Sequence, residues 1–185
     1  MSATTTIDPA SSVAGARHIR AVALLPFMNT VVIPSVLLAV LPPPLPHAPT
    51  SMGLFTTLVG LALLGAGAAL VVNSIRLFVA LGRGTLAPWD PTGALVTAGV
   101  YRYMRNPMKA GLFLVLAGEA LLFRSLALTG WLACFATANV VYIRVSEEPG
   151  LRKRFGAPYR EYCERVPRWW PTWHALRAAA NRENT

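Results

Sequence analysis

Residues 111–145 read GLFLVLAGEALLFRSLALTGWLACFATANVVYIRV: two apolar runs, Gly111–Phe123 and Leu126–Val145, with only Arg124-Ser125 between them. So short a connection predicts a tight hairpin. Lipid cannot satisfy backbone N–H and C=O groups, so in a bilayer both runs must be helices that bond within themselves. Two more apolar runs lie upstream. Ile19–Leu41 contains Pro26 and Pro34, and Gly53–Leu81 is rich in Leu, Ala and Gly. A spanning helix needs about 20 apolar residues. The first, second and fourth runs are long enough, and the third becomes so if Met108–Ala110 extends it. The first is too long for a signal-peptide core and reads as a retained helix. The expectation is an all-α, polytopic membrane protein with about four transmembrane helices, followed by cytoplasmic C-terminal amphipathic helices.

Composition agrees. The 185-residue chain is 54% hydrophobic with mean hydropathy +0.47, high for a soluble protein. Its net charge of +9 is segregated along the sequence. Arg17 precedes the first run and Arg20 stands at its very start. Arg83, Arg102, Arg105 and Lys109 lie between the second and third. Arg152, Lys153, Arg154, Arg160, Arg165 and Arg168 follow the fourth. Pro42–Met52, between the first two runs, has no Lys or Arg. The positive-inside rule then places both termini in the cytoplasm, with Arg124 alone on the other side. A basic balance of this kind is a membrane-surface signature and points to no nucleic acid.

Residues 1–16 are Ser/Thr/Ala-rich and read as a disordered tail. Residues 17–174 form one transmembrane domain, and 175–185 a C-terminal tail. Cys134 and Cys163 suggest no disulfide, and His18, His47 and His174 are too far apart for a metal site. No P-loop, and no GxGxxG after a strand, is present.

Polar residues in this apolar chain are few enough to weigh singly. Gly65-Ala66-Gly67 allows close helix packing, or leaves a gap where a flat ligand reaches the backbone. Pro107 disfavours helix at Asn106, so Arg105-Asn106 is an extended elbow, presenting a cation and N–H groups at a helix start where an anion is welcome. Trp89, Tyr101 and Tyr103 suit an interfacial belt, with Pro88 and Pro91 marking turns. Glu119, in the middle of the third run, must face the bundle or a cavity. There it holds a cationic ligand or makes a structural pair. Glu147-Glu148, followed by Pro149, caps a new helix or binds ribose hydroxyls or an amino group. The basic, aromatic tail with Trp169, Trp170 and Trp173 docks on a membrane surface or closes over a site.

The segments LVTAGVYRYMRNPMKAG (95–111), Glu147-Glu148 and FGAPYREYCERVPRWWP (155–171) resemble the isoprenylcysteine carboxyl methyltransferase family, in the family's order, over residues 82–171. GLALLGAG (60–67) and the NPM of 106–108 also look like the related phospholipid N-methyltransferases, whose Gly-x-Gly and Glu-Glu pairs bind S-adenosylmethionine. These are small helical membrane enzymes without a Rossmann domain. The resemblance implies that Leu95, Val96, Tyr101 and the Arg105-Asn106-Pro107-Met108 elbow contact S-adenosylmethionine, together with Glu147 or Glu148, with Gly65, Gly67 and Glu119 as further candidates. Arg144 falls within about one residue of the arginine that holds the substrate carboxylate in the carboxyl methyltransferases. Those enzymes carry His where this chain has Asn106, and Tyr where it has Lys109.

The reading is methyl transfer to an amphiphilic or lipid-borne acceptor entering from the membrane. A carboxylate acceptor needs a cation, Arg144 or Arg168. An amine acceptor needs a base, Glu119 or Glu148. Carboxyl O-methylation is the favoured outcome and amine N-methylation the alternative. A non-catalytic lipid-binding protein and a small transporter using Glu119 are the readings from other classes.

Overall fold

The computed structural model describes residues 24, 26–43, 51–81 and 95–171. The expected tails, Arg17, Arg20, Arg83, Pro88, Trp89, Pro91 and Trp173 lie outside the described residues. Those that are described form helices and turns, with no strand among them.

Helix α1 (Met28–Val40) opens with a π-helical turn over Met28–Val32. Pro34 explains what that turn leaves exposed. The Ile33 N–H bonds to the Met28 carbonyl, and Pro34 has no N–H to give. The Asn29 carbonyl therefore loses both of its ordinary helical donors. The Trp131 indole N–H supplies one from another helix, at 3.2 Å.

Helix α2 (Ser51–Leu81) runs 31 residues, and helix α3 (Pro107–Phe123) returns antiparallel along it. Glycines set their closeness. A Cβ on Gly67 would sit 2.6 Å from the Gly111 carbonyl oxygen and 2.7 Å from the Val115 amide. One on Gly118 would sit 2.7 Å from the Gly60 carbonyl oxygen. Gly60 pairs with Gly118 and Gly67 with Gly111, two helical turns apart on both strands of the seam. Backbones approach this closely only where Cβ atoms are missing.

The hairpin after α3 forms as the sequence predicts. Arg124 closes α3 in the left-handed region (φ 47°, ψ 40°), a conformation that costs a non-glycine residue roughly 1–2 kcal/mol. Ser125 caps helix α4 (Leu126–Tyr142) by accepting the Leu128 N–H. The acids were expected to start a separate helix. Instead α4 passes through a second π turn, Ile143–Glu147, directly into helix α5 (Glu148–Arg165). The proline rule recurs here: Glu148 N–H bonds to Ile143 and Pro149 has no N–H. Gly156 (φ 58°) kinks α5 ahead of Pro158.

Among the described residues, two helices are long and apolar enough to cross a membrane: α2, and the continuous rod that begins at Leu126. Only 11% of each apolar window is buried. That low figure excludes a buried core helix of a soluble protein; Met52, Leu54, Phe55, Leu58 and Leu61 all face outward. The apolar part of the second rod ends near Val145, so the acids and everything after them lie beyond the spanning segment. The third expected run forms a shorter helix, and the start of the first, before Leu24, lies outside the described residues. Between Met28 and Val40 α1 covers about 20 Å, and α3 is about 25 Å long, because Pro107 starts it and Arg124 ends it.

Candidate functional site

The site is built where three distant pieces of chain meet. A 3-10 turn, Gly99–Arg102, follows α2. Gly99 has φ +57°, and a Cβ there would meet Leu77 at 2.6 Å, so the turn presses against the end of α2. Tyr101 is buried beside Ser74 of α2. Burial pushes its phenol up, the nearby Ser74 hydroxyl relieves part of that, and the charge of Glu147 adds to it.

Pro107 starts α3 and keeps Arg105-Asn106 out of the helix, as expected of a residue before proline. The freed backbone pairs with the segment after α5. Arg105 N–H donates to the Pro167 carbonyl at 2.9 Å and Asn106 N–H to the Arg168 carbonyl at 3.2 Å. The Asn106 side-chain amide donates to the same carbonyl. An apolar cluster anchors this docking: Tyr159, Tyr162 and Val166 pack with Leu95, Leu151, Phe155 and Cys163. The Tyr162 hydroxyl donates to the Tyr101 carbonyl at 2.7 Å.

Glu148 lies at the centre, its side chain 8% exposed. Arg105 Nη1 donates to its Oε1 at 3.0 Å. Arg168 donates from Nε and Nη2 to Oε1 and Oε2, both at 2.8 Å. Burial raises the Glu148 carboxyl, but the Arg168 hydrogen bonds and the charges of Arg105, Arg168 and Arg152 outweigh it and hold it below the ordinary carboxylate range. Arg168 is raised in turn, by its bond to Glu148. Arg105 also donates to Cys163 Sγ at 2.9 Å. Its Nε is buried and has no partner among the described residues. Glu147 pairs with Lys109, which lies 5.2 Å over the Tyr142 ring.

Thus Arg105, Asn106, Glu148 and Arg168 converge, with Glu147 beside Glu148 and Pro107-Met108 opening α3 next to the elbow; Tyr101 lies on the adjoining turn, and Leu95 and the buried Val96 lie in the segment that leads into it. Four candidates are placed elsewhere. Arg144 is exposed on the π turn and forms no ion pair among the described residues. Glu119 lies twelve residues along α3 from Pro107, about 18 Å away along the axis. Gly67 is filled by the α3 backbone, so its notch holds a helix and offers no gap for a flat ligand. Gly65 faces open space, with nothing within 4 Å of a Cβ built on it. Several participants gave no clear signal in the sequence. Ser74 reads as a headgroup residue, Lys109 as a departure from a family pattern. Only the Tyr159/Tyr162 spacing, one helical turn apart, marks a shared face.

Trp169 follows Arg168 and stacks on Phe113 of α3, with ring centroids 5.4 Å apart; Phe113 in turn meets Phe135 of α4 edge-on at 5.9 Å. An aromatic wall therefore runs from the charged cluster down between α3 and α4.

A turn of polar chemistry at the mouth of an apolar helical bundle defines a membrane-associated helical protein whose site is built at its polar end. The sequence matches the phospholipid methyltransferase family over residues 55–158, more than half of the chain, and the protein belongs to that family. No curated protein and no solved structure matches it.

Proposed function

We propose that this protein is an integral membrane methyltransferase that uses S-adenosylmethionine to methylate an amphiphilic, lipid-borne acceptor. The observation that carries this reading is the Arg105–Glu148–Arg168 cluster at the membrane-side mouth of a bundle belonging to a methyltransferase family.

The residues present fit the cofactor. S-adenosylmethionine carries a carboxylate, an ammonium and a ribose diol. The buried, unused Nε of Arg105 is a donor of the kind a carboxylate takes, and Glu147 and Glu148 are acceptors for the ammonium or ribose hydroxyls. Leu95, Val96, Tyr101, Asn106, Pro107 and Met108 adjoin them. When bound, the cofactor supplies an electrophilic methyl on sulfur. The protein's part is alignment: holding donor and acceptor in line can supply several kcal/mol of the barrier. Trp169, next in sequence to Arg168, packs on Phe113 of α3 and gives the cluster an apolar neighbour.

The charges favour an anionic acceptor, and carboxyl O-methylation is the reading preferred here. Glu148 is held ionised by two arginines and makes a poor general base. Arg105, Lys109 and Arg168 outnumber Glu147 and Glu148, leaving positive charge for a carboxylate. Of the two arginines expected to hold it, Arg168 stands in the cluster and Arg144 outside. The second reading, methylation of a phospholipid amine, is favoured by the family match itself. There the same cations would hold the phosphate beside the amine.

Calorimetry of the purified protein with S-adenosylmethionine and S-adenosylhomocysteine tests the cofactor; absence of binding to both would remove the enzyme reading. Labelled methyl transfer to lipid extracts tests the acceptor. A carboxyl ester is released by mild base, and activity on a carboxylate changes little between pH 6 and pH 9. A base-stable product whose formation climbs with pH would assign the amine.

A further inference from the structure

A groove of about 510 Å³ opens at the far end of the bundle, a full length of α3 away from the arginine–glutamate cluster. Met52 and Thr56 of α2 form one wall; Leu121, Leu126 and Thr129 form the other, across the hairpin. The Thr56 hydroxyl donates to Gly53 and the Thr129 hydroxyl to Ser125, each within its own helix. Their protons are spent locally, and the groove presents itself as apolar. Its size is that of a small-molecule or lipid-chain site.

One lining residue breaks the pattern. Arg124 stands at the rim, exposed, with no acid lining the groove and no ion pair to it among the described residues. It occupies the left-handed position that closes α3, where glycine or asparagine is usual. Here an arginine holds a backbone that glycine would adopt freely. It is also the one basic residue that the charge pattern places on this side of the membrane.

We infer that this groove is a phospholipid site, with Arg124 holding the phosphate of a lipid in the leaflet opposite the catalytic cluster and an acyl chain lying between Met52 and Leu126. Charge complementarity commits the occupant: one unpaired cation beside an apolar channel matches one phosphate joined to a hydrocarbon chain. An uncharged lipid leaves the cation unused, and free phosphate leaves the channel unfilled. The site rests on α2 and α4 crossing the membrane, and it is separate from methyl transfer.

The test uses the full chain in detergent, carrying a fluorophore at Met52→Cys in a background lacking Cys134 and Cys163. It is titrated with phosphatidylglycerol brominated on its acyl chains. Saturable quenching is expected, weakened at least tenfold by Arg124→Gln and by Thr56→Phe, which fills the channel. Diacylglycerol with the same brominated chains should quench far less, and inorganic phosphate should not compete. Equal quenching in Arg124→Gln, or by diacylglycerol, would overturn the proposal, as would displacement by inorganic phosphate at matching concentrations. Cofactor binding by Arg124→Gln, measured in parallel, should match that of the parent; this keeps failure of the groove distinct from failure of the enzyme reading.

Discussion

Replacing Glu148 with Gln keeps the shape of the side chain and removes its charge. The parent carboxylate accepts three charge-assisted bonds from two guanidinium groups, at 2.8–3.0 Å and 8% side-chain exposure. In the variant one amide oxygen can still accept, while the amide N–H₂ is turned on a cation. Removing one partner of a buried ion pair costs about 3–5 kcal/mol. Arg168, 27% exposed, can recover some hydration, so about 3 kcal/mol is expected. For a chain of this size that is a fall of roughly 6–12 °C in apparent Tm. The sign of the pH dependence follows from the depressed carboxyl. Its folded pKa lies below the ordinary 4.5, so its contribution is fully present above about pH 4.5 and is lost as pH falls through the folded value. Thermal scans in detergent at pH 7 and at successively lower pH should show the gap between parent and variant closing below 4.5. A variant as stable as the parent at pH 7, or a gap that persists unchanged into acid, would refute the clamp.

Gly67→Val should force α2 and α3 apart against the Gly111 and Val115 backbone and cost about 1–3 kcal/mol, read as a lowered Tm. Gly65→Val, on the open face, should leave Tm unchanged; lost cofactor binding there with an intact Tm would restore the ligand-gap reading. Arg105→Lys should weaken S-adenosylmethionine binding by roughly tenfold or more, since a lysine cannot replace the forked contacts and one charged hydrogen bond is worth about 1.5–3 kcal/mol. Full affinity in the lysine variant would reduce Arg105 to a general positive charge. Single cysteines at Met52 and Glu164, in a background lacking the native two, should label from opposite sides of sealed vesicles. Labelling of both from one side would end the proposed topology.

Local features were legible in the sequence because local chemistry fixes them. Arg124-Ser125 leaves no room for anything but a turn, and Pro107 both starts α3 and extends Arg105-Asn106. The closest contacts in the site were not legible. Arg105 and Glu148 are 43 residues apart and Glu148 and Arg168 are 20 apart, and no periodicity links such pairs. The π turns were hidden for another reason. Both precede a proline, Pro34 and Pro149, and a proline in a sequence reads as a break; here the helix continues through it by slipping one hydrogen-bond register. That slip leaves the acids within a continuous rod, with Arg144 exposed on the π turn. Glu119 looked like part of the site because it is an acid in an apolar run, but only the helix axis reveals how far it lies from Arg105.

The paired glycines of α2 and α3 act as a fixed gauge of depth. Sliding one helix past the other by a single turn would bring side chains against both close approaches at once, so the two lock at one offset. Gly67 and Gly111 lie one turn from Pro107. The lock therefore carries Arg105 and Asn106 to a set height relative to Ser74 and Tyr101, whatever the thickness of the surrounding bilayer. A lipid acceptor has no such tether, and its reactive group rides at the height its own leaflet gives it. The distance between the two heights then becomes a property of the membrane. Turnover on one acceptor should vary when the same protein is moved among vesicles of shorter and longer acyl chains, even where cofactor affinity stays constant.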